Sequence, residues 1–326
     1  MVKITDVARE AGVAPSTVSH VLNGKRRISN ETKERVFEAI ERLGYMPNPN
    51  AQALKTNRNG VIGFFASDIT ELFNAHIIRG VERALRQHDY YLLFASGAEF
   101  EHGPEEAIRV LRRRRLDGLI VSYETAGFET ITHVGTGSIP TVFMNRPGPC
   151  DCLSVLADDY RGGRDAAIRL LEAGVRRPAV IAGPRDRAAA HWRLEGFLAG
   201  LKEQRITLPE THVFEGDFTY HGGEHGLAYF AQVDPDIDGI FCGNDHMAAG
   251  CINAAHVRGW DIPARLKIIG YDNRDFSEFW SVPISTYEQP LDVMGETSVA
   301  ILLEAISGRR QEESRTLIPS RFIARK

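Results

Sequence analysis

ITDVAREAGVAPSTVSHVLNG, residues 4–24, reads as two short helices joined by a glycine-containing turn. Thr5 is placed to cap the first helix, Asp6 sits in its first turn, and Gly12 can end it. Pro15 suits the first position of the second helix. Val18, Val21 and Leu22 fall at i, i+3 and i+4 and so share one face. Ser16, Thr17, Ser19 and His20 lie around the other side, and Asn23-Gly24 stops the helix. A third helix opens at a Ser29 cap and carries the inward stripe Val36, Ile40 and Leu43. Two short helices around such a turn form a helix-turn-helix. Small polar side chains and a histidine on its free face fit a DNA major groove. An ordinary helical hairpin with a solvated polar face would share the first two helices. The continuation through NGKRRIS into a capped third helix favours the DNA reading.

Charge supports it. Residues 1–60 hold ten Lys/Arg against six Asp/Glu, leaving 29 against 37 for the remainder of a 326-residue chain with net charge −4. A basic end on an acidic body suggests a small nucleic-acid-binding head. At 43% hydrophobic and 25% charged residues the chain is an ordinary globular one of two or three domains, which excludes a disordered, collagenous or disulfide-dense protein. The first residues carry charge where a secretory signal needs an apolar run, and no stretch has a membrane span's length of apolar residues, so the expected location is cytoplasmic. The four cysteines fit a reducing compartment. Cys150 and Cys152 are too close in sequence to close a useful loop, and all four read as free thiols.

Beyond the third helix, PNPNAQALKTNRN (47–59) reads as a linker containing one short run of helix formers, AQALK, which needs a partner to become helical. From residue 61 the pattern alternates. Strands are expected at 61–66, 90–95, 117–122, 140–143, 153–157, 178–182, 238–242, 266–270 and near 316–323. Helices are expected at 74–87, 103–113, 162–173, 190–203, 245–258 and 291–307. Continuous apolar strands between amphipathic helices imply parallel sheets covered on both faces, and so many strands fit two sheets better than one.

These residues together resemble the LacI/GalR family of bacterial transcription regulators. The carriers are VSHVLN (18–23), LGY (43–45), PN (47–48) and AQALK (51–55), then VIGFFASDITELF (61–73), LDGLIV (116–121), GPRDRAAAHWRLEGF (183–197), FCGND (241–245) and IIGYDN (268–273). The resemblance implies an α/β fold with an N-terminal helix-turn-helix headpiece and a two-lobed, periplasmic-binding-protein-like core with two parallel sheets. Its expected divisions are a headpiece at 1–46, a hinge helix or linker at 47–59, one core subdomain at 60–157 and 290–316, and a second at 158–289 and 317–326. It places DNA contacts on Thr5, Ser16, Thr17, Ser19, His20, Arg26, Leu54 and Lys55. Leu54 would be the apolar wedge of a paired hinge helix that kinks the minor groove, a known device. Pro15 stands where some relatives carry a base-reading side chain, and Ala14 where a capping serine is common.

In sheets of this kind ligands sit beyond the carboxyl ends of strands. The residues just after strands are therefore expected effector contacts: Asp68, Phe73, Asn145, Arg146, Asn244 and Asp272, with Asp245 beside them, joined by Arg187 and Arg193 of the GPRDRAAAHWR loop and helix start and Gln289 before the last helix. The resemblance places Arg193, Asn244, Asp272 and Gln289 in the effector cleft and adds Phe218, which matches an aromatic that packs on the ligand in some members. Paired Asp, Asn and Arg groups suit sugar hydroxyls, which both donate and accept. Three arginines against two or three acids lean towards a sugar acid or sugar phosphate. Ala189 replaces a hydroxyl residue that purine-binding relatives use, which argues against a purine corepressor.

Other signals are weaker. HGGEH (221–225) matches an inverted zinc-protease pattern, but its adjacent glycines weaken the helix required. RRRR (112–115) reads as a solvated helix end. Trp192 is the one tryptophan in the cleft loop. No catalytic set, metal cage or cofactor loop stands out, so the expectation is not an enzyme. It is a ligand-responsive repressor without cofactor, binding near-palindromic double-stranded operator DNA as a homodimer, with a carbohydrate-derived small-molecule effector and no membrane partner.

Overall fold

The computed structural model describes residues 2–23, 28–46, 58–66, 72–97, 104–122, 139–148, 152–309 and 313–325. The chain divides into two compact units, Met1–Gly60 and Val61–Lys326.

The first unit holds α1 (Ile4–Glu10), α2 (Pro15–Asn23) and α3 (Asn30–Leu43). Val7, Ala8, Ala11, Val18, Val21, Val36 and Ala39 form its buried centre. Gly12, at φ +65°, makes the turn between α1 and α2, a conformation glycine adopts without steric cost. Ser29 caps α3 by accepting from the Thr32 N–H, and Arg42 ties α3 to Glu10 of α1 at 2.7 Å. Thr5 does not cap α1. The helix begins one residue earlier, and the Asp6 carboxylate reaches back to the Lys3 N–H at 2.9 Å instead.

In the second unit the described strands are β1 (Val61–Ala66), β2 (Tyr91–Ser96), β3 (Gly118–Ser122), β4 (Thr141–Met144), β5 (Leu153–Ala157), β6 (Pro178–Ala182), β7 (Val213–Glu215), β8 (Gly239–Cys242), β9 (Lys267–Ile269), β10 (Thr286–Glu288), β11 (Arg315–Ile318) and β12 (Arg321–Ile323). The helices are α4 (Leu72–Arg86), α5 (Pro104–Arg112), α6 (Asp159–Glu172), α7 (Ala188–Glu203), α8 (Tyr220–Val233), α9 (Asp245–Val257) and α10 (Leu291–Ile306). One parallel sheet has the order β11-β5-β4-β3-β1-β2, and a second the order β7-β6-β8-β9. Both bury apolar side chains on both faces. Ile62, Phe64, Ile120 and Val142 look one way, and Phe65, Leu119, Val121 and Phe143 the other. That burial is why the strands read as unbroken apolar runs.

Three features differ from expectation. β7, β10 and α8 are additional elements. The single terminal strand expected near 316–323 is two strands, β11 in the first sheet and β12 paired antiparallel with β10. The first sheet therefore keeps the chain to Ile318 rather than 316.

Three helix pairs approach closely through glycines arranged reciprocally. A Cβ on Gly80 (α4) would lie 2.2 Å from the Asp292 carbonyl oxygen of α10, and one on Gly295 would lie 2.4 Å from that of Ile77. In α6 and α7 the same holds for Gly163 against Arg193 (2.0 Å) and Gly196 against Tyr160 (2.0 Å). In α8 and α9 it holds for Gly223 against Met247 (1.9 Å) and Gly250 against Tyr220 (1.9 Å). Each glycine faces the carbonyl three residues before its opposite glycine. Of the adjacent glycines of HGGEH, Gly223 is thus a packing residue of a formed helix and Gly222 faces the Asp217 carboxylate, with His221 bonded to Glu224 at 3.0 Å.

Candidate functional site

In the first unit, α2 presents Ser16 exposed and Thr17, Ser19 and His20 half-buried. At about 100° per residue these four occupy an arc facing away from Val18 and Leu22. Thr5 is exposed on α1. Arg26, Leu54, Lys55 and the AQALK run lie outside the described residues, as does Asp68 of the second unit.

In the second unit a cavity of about 920 Å³ opens at the carboxyl ends of both sheets. Phe73, Asn145, Arg187, Arg193, Phe218, Asn244, Asp272 and Gln289 all line it. Arg146 does not; it is half-buried behind Asn145 in sequence, away from the lining. Trp192 also stays outside the lining, on the exposed side of α7.

The centre of the site is built by the α6–α7 crossing. Close approach at Gly163 and Gly196 brings Asp159 beside Arg193. Arg193 Nε donates to Asp159 Oδ1 at 2.8 Å, one Nη donates to the Gly243 carbonyl at 2.7 Å, and the same Nη lies 3.4 Å from Asp272 Oδ1. The guanidinium stacks 3.9 Å from the Tyr271 ring centroid. Burial opposes the Arg193 charge, but Asp159 and Asp272 outweigh it, so it is held ionised above its ordinary value. Burial pushes the Asp159 carboxyl up, and Arg193 pulls it part of the way back.

Asp272 follows β9 at φ +109°, a strained position for a residue with a side chain. Its N–H donates to the Tyr287 carbonyl at 2.8 Å, which fixes that backbone. Its Oδ1 accepts from Gln289 Nε2 at 2.6 Å. Phe218, at φ +63°, lays its ring on Gly183, where a Cβ would meet the ring at 2.2 Å. Asn244 caps α9 through Met247 N–H and donates to the Phe218 carbonyl, both at 2.9 Å, so its amide chiefly positions the aromatic. Asn145, at φ +65°, donates to Ser122 Oγ at 2.9 Å.

Asp245 is not a lining residue. It is fully buried and accepts from Ser277 Oγ (2.6 Å), Thr286 Oγ1 (2.5 Å) and the Arg274 N–H (2.8 Å). Burial, with Asp272 nearby, pushes its carboxyl up to about 6 against those hydrogen bonds. Asp159, Asp217, Glu288, Asp292, Arg79, Arg274, His246 and Phe276 line the cavity without having been expected. The cavity thus carries four arginines against six carboxylates, and the expected arginine excess is absent. Most of these acids are already engaged. Asp292 takes Arg79 through both oxygens, Glu288 takes Arg321, and Asp217 takes Thr219. Among the described residues no cluster of His, Cys, Asp and Glu could hold a metal ion, and no helix is long and apolar enough to cross a membrane.

A helix-turn-helix and a body with two parallel sheets around a polar cavity define a DNA-binding regulator with a periplasmic-binding-protein-like sensor. The chain belongs to the lacI family of bacterial regulatory proteins, whose family model matches residues 3–48; the periplasmic binding protein-like domain model matches 167–326. It is 32% identical over its whole length to the HTH-type transcriptional repressor PurR of Klebsiella pneumoniae (strain 342), covering 96% of that protein. The lac repressor dimer bound to operator and the anti-inducer ONPF is 26% identical, with a TM-score of 0.86 over 100% of this chain and 98% of that one. The CelR–cellobiose complex is 29% identical, with a TM-score of 0.74 over 99% of each chain.

Proposed function

We propose that the chain represses transcription as a homodimer on near-palindromic operator DNA, and that a carbohydrate-derived effector in the cavity controls that binding through residues 47–59. The observation that carries the effector part is the cavity itself. Phe73, Phe218 and Phe276 offer apolar faces, while Asp272, Gln289 and Arg193 supply acceptors and donors that match hydroxyls in both roles. The cellobiose bound by CelR, a relative of similar fold, supports the same class. The operator bound by the lac repressor dimer supports the α2 surface as the base-reading one, since a dimer sets two recognition helices in successive major grooves. Effector and operator are then coupled by the typical ~1–3 kcal/mol of linked sites.

The test is a thermal-shift screen of the full chain against neutral sugars, sugar acids, sugar phosphates and nucleobases, followed by operator binding with and without each hit. A carbohydrate that stabilises the body and changes operator affinity is expected. A hit confined to nucleobases overturns the carbohydrate reading. A hit that leaves operator affinity unchanged overturns the coupling.

A further inference from the structure

We infer that Arg274 is a specificity-determining residue of the cavity and that the effector is a sugar bearing a carboxylate which docks on its guanidinium. The inference rests on the carbohydrate reading above and narrows it.

Arg274 differs from the arginines around it. Arg79 is held by both oxygens of Asp292, and Arg193 by Asp159, Gly243 and Asp272. Among the described residues the Arg274 guanidinium donates no hydrogen bond; its nearest carboxylate oxygen is Asp272 Oδ2 at 3.6 Å, and its Nε is buried with no partner. A buried donor left unpaired costs about 1–3 kcal/mol. The backbone is not free to relieve it, because the Arg274 N–H is fixed on Asp245 at 2.8 Å. The neighbouring acids do not satisfy it. Asp272 serves Gln289 and Arg193 through Oδ1 while its Oδ2 stays 3.6 Å from Arg274, beyond hydrogen-bond reach, and both oxygens of Asp245 are taken. The Arg274 side chain is still 21% exposed, so a ligand acceptor entering the cavity can meet the outer nitrogens of this cation, while Nε stays buried.

A carboxylate fits better than a phosphate. The planar guanidinium fork can take either anion in two-point fashion, so charge decides between them. A phosphate would bring close to two negative charges into a lining that already has six carboxylates against four arginines. The adjacent His246, 5.0 Å from the Phe276 ring, supplies no second cation, since burial and Arg274 both hold its pKa down. The arginine excess expected from sequence is therefore not what selects an anion here; one under-satisfied arginine is.

The experiment is isothermal titration of the full chain with matched pairs: glucose with glucuronate and gluconate, galactose with galacturonate, and cellobiose with cellobionate. The proteins are the parent, Arg274→Ala, Arg274→Lys and Arg193→Ala. One acid is expected to bind about tenfold or more tightly than its neutral partner. Arg274→Ala should lose that advantage while keeping the neutral sugar's affinity. Arg274→Lys should keep part of it, and Arg193→Ala should weaken both members of the pair. If neutral sugars bind as well as the acids, or if Arg274→Ala weakens both alike, the assignment of Arg274 falls and the carbohydrate reading stands. If no member of any pair binds, both fall.

Discussion

Arg193 and Asp159 form an ion pair at 2.8 Å that is almost wholly removed from solvent, with the Arg193 carbonyl packed against Gly163 of the helix that carries Asp159. One helix crossing therefore sets both the backbone contact and the charge contact. Removing one partner strands the other's charge in a low-dielectric site, which typically costs about 3–5 kcal/mol. Arg193→Met and Asp159→Asn should each lower urea stability by that order. The double substitution should cost clearly less than the sum. Additive losses in a double-mutant cycle would mean that the two side chains do not depend on each other.

Asp245 gives the body a pH dependence of known sign. Its carboxyl, pushed up to about 6 in the folded chain by burial and Asp272, has an unfolded value of about 3.9. The folded state thus holds this proton more tightly, and ionisation opposes folding as pH rises from about 4 through about 6. From this group alone the body should be about 1 kcal/mol more stable at pH 5 than at pH 7. Acids held below their ordinary range by hydrogen bonds, such as Asp217 and Asp234, begin to oppose this only at lower pH. Asp245→Asn should flatten the slope between pH 5 and 7, and Asp272→Asn should move its midpoint down. An unchanged slope in Asp245→Asn would assign the effect elsewhere.

The two sheets and the headpiece were legible because their signals are local. VIGFFA and PAVIA are apolar on both faces, α2 and α3 carry clean stripes, and α3 opens at the Ser29 cap. α8 escaped notice because YHGGEHGLAYFAQV has three glycines in its first seven residues, poor helix formers read in isolation. Their value is in the crossing with α9, which sequence periodicity does not report. Strands as short as β7 and β10 fall below any pattern of alternation. In the cavity, residues just after expected strands were legible by topology, Asn145, Asn244 and Asp272 among them, whereas Phe218 came only from the family resemblance, since β7 before it was not expected. Arg146 shows the limit, since it directly follows Asn145 and yet does not line the cavity. Asp159 was illegible because its meaning depends on Arg193, 34 residues later. Arg274 was illegible because what marks it is a missing partner.

The reciprocal glycines predict a specific intolerance. Alanine at Gly163, Gly223 or Gly250 puts a methyl group within about 2 Å of a backbone oxygen on the facing helix, where only backbone movement can make room. Overpacking of a well-packed contact typically costs ~1–3 kcal/mol. Gly163→Ala should also disturb the Arg193–Asp159 pair and so weaken ligand binding, whereas Gly223→Ala should act on stability through α8 and α9. Gly174, at φ +88° with open space around it, should lose stability for backbone reasons only and leave ligand affinity unchanged. Urea unfolding and titration of all three variants separate these outcomes. Equal effects on ligand affinity at Gly163 and Gly174 would remove the crossing as the element that positions the site.

The α2 surface predicts two distinguishable kinds of loss on DNA. Ser16 and His20 lie four residues apart on the outward arc with Thr17 and Ser19 flanking them; we propose the first two for base edges and the second two for phosphates. Alanine at a base-reading position should cost about 1–3 kcal/mol on the preferred operator and relax preference at one base position. Alanine at a phosphate position should weaken operator and unrelated DNA alike and leave the salt dependence nearly unchanged, since a neutral hydroxyl releases no counterion. If Leu54 is the proposed minor-groove wedge, Leu54→Ala should fall in the first class, weakening the operator far more than random DNA. Competition binding against a library of randomised half-sites, repeated at two salt concentrations, checks all five substitutions. If His20→Ala lowers affinity evenly across the library, α2 holds the backbone rather than reading bases. The sequence preference then has to come from another part of the chain.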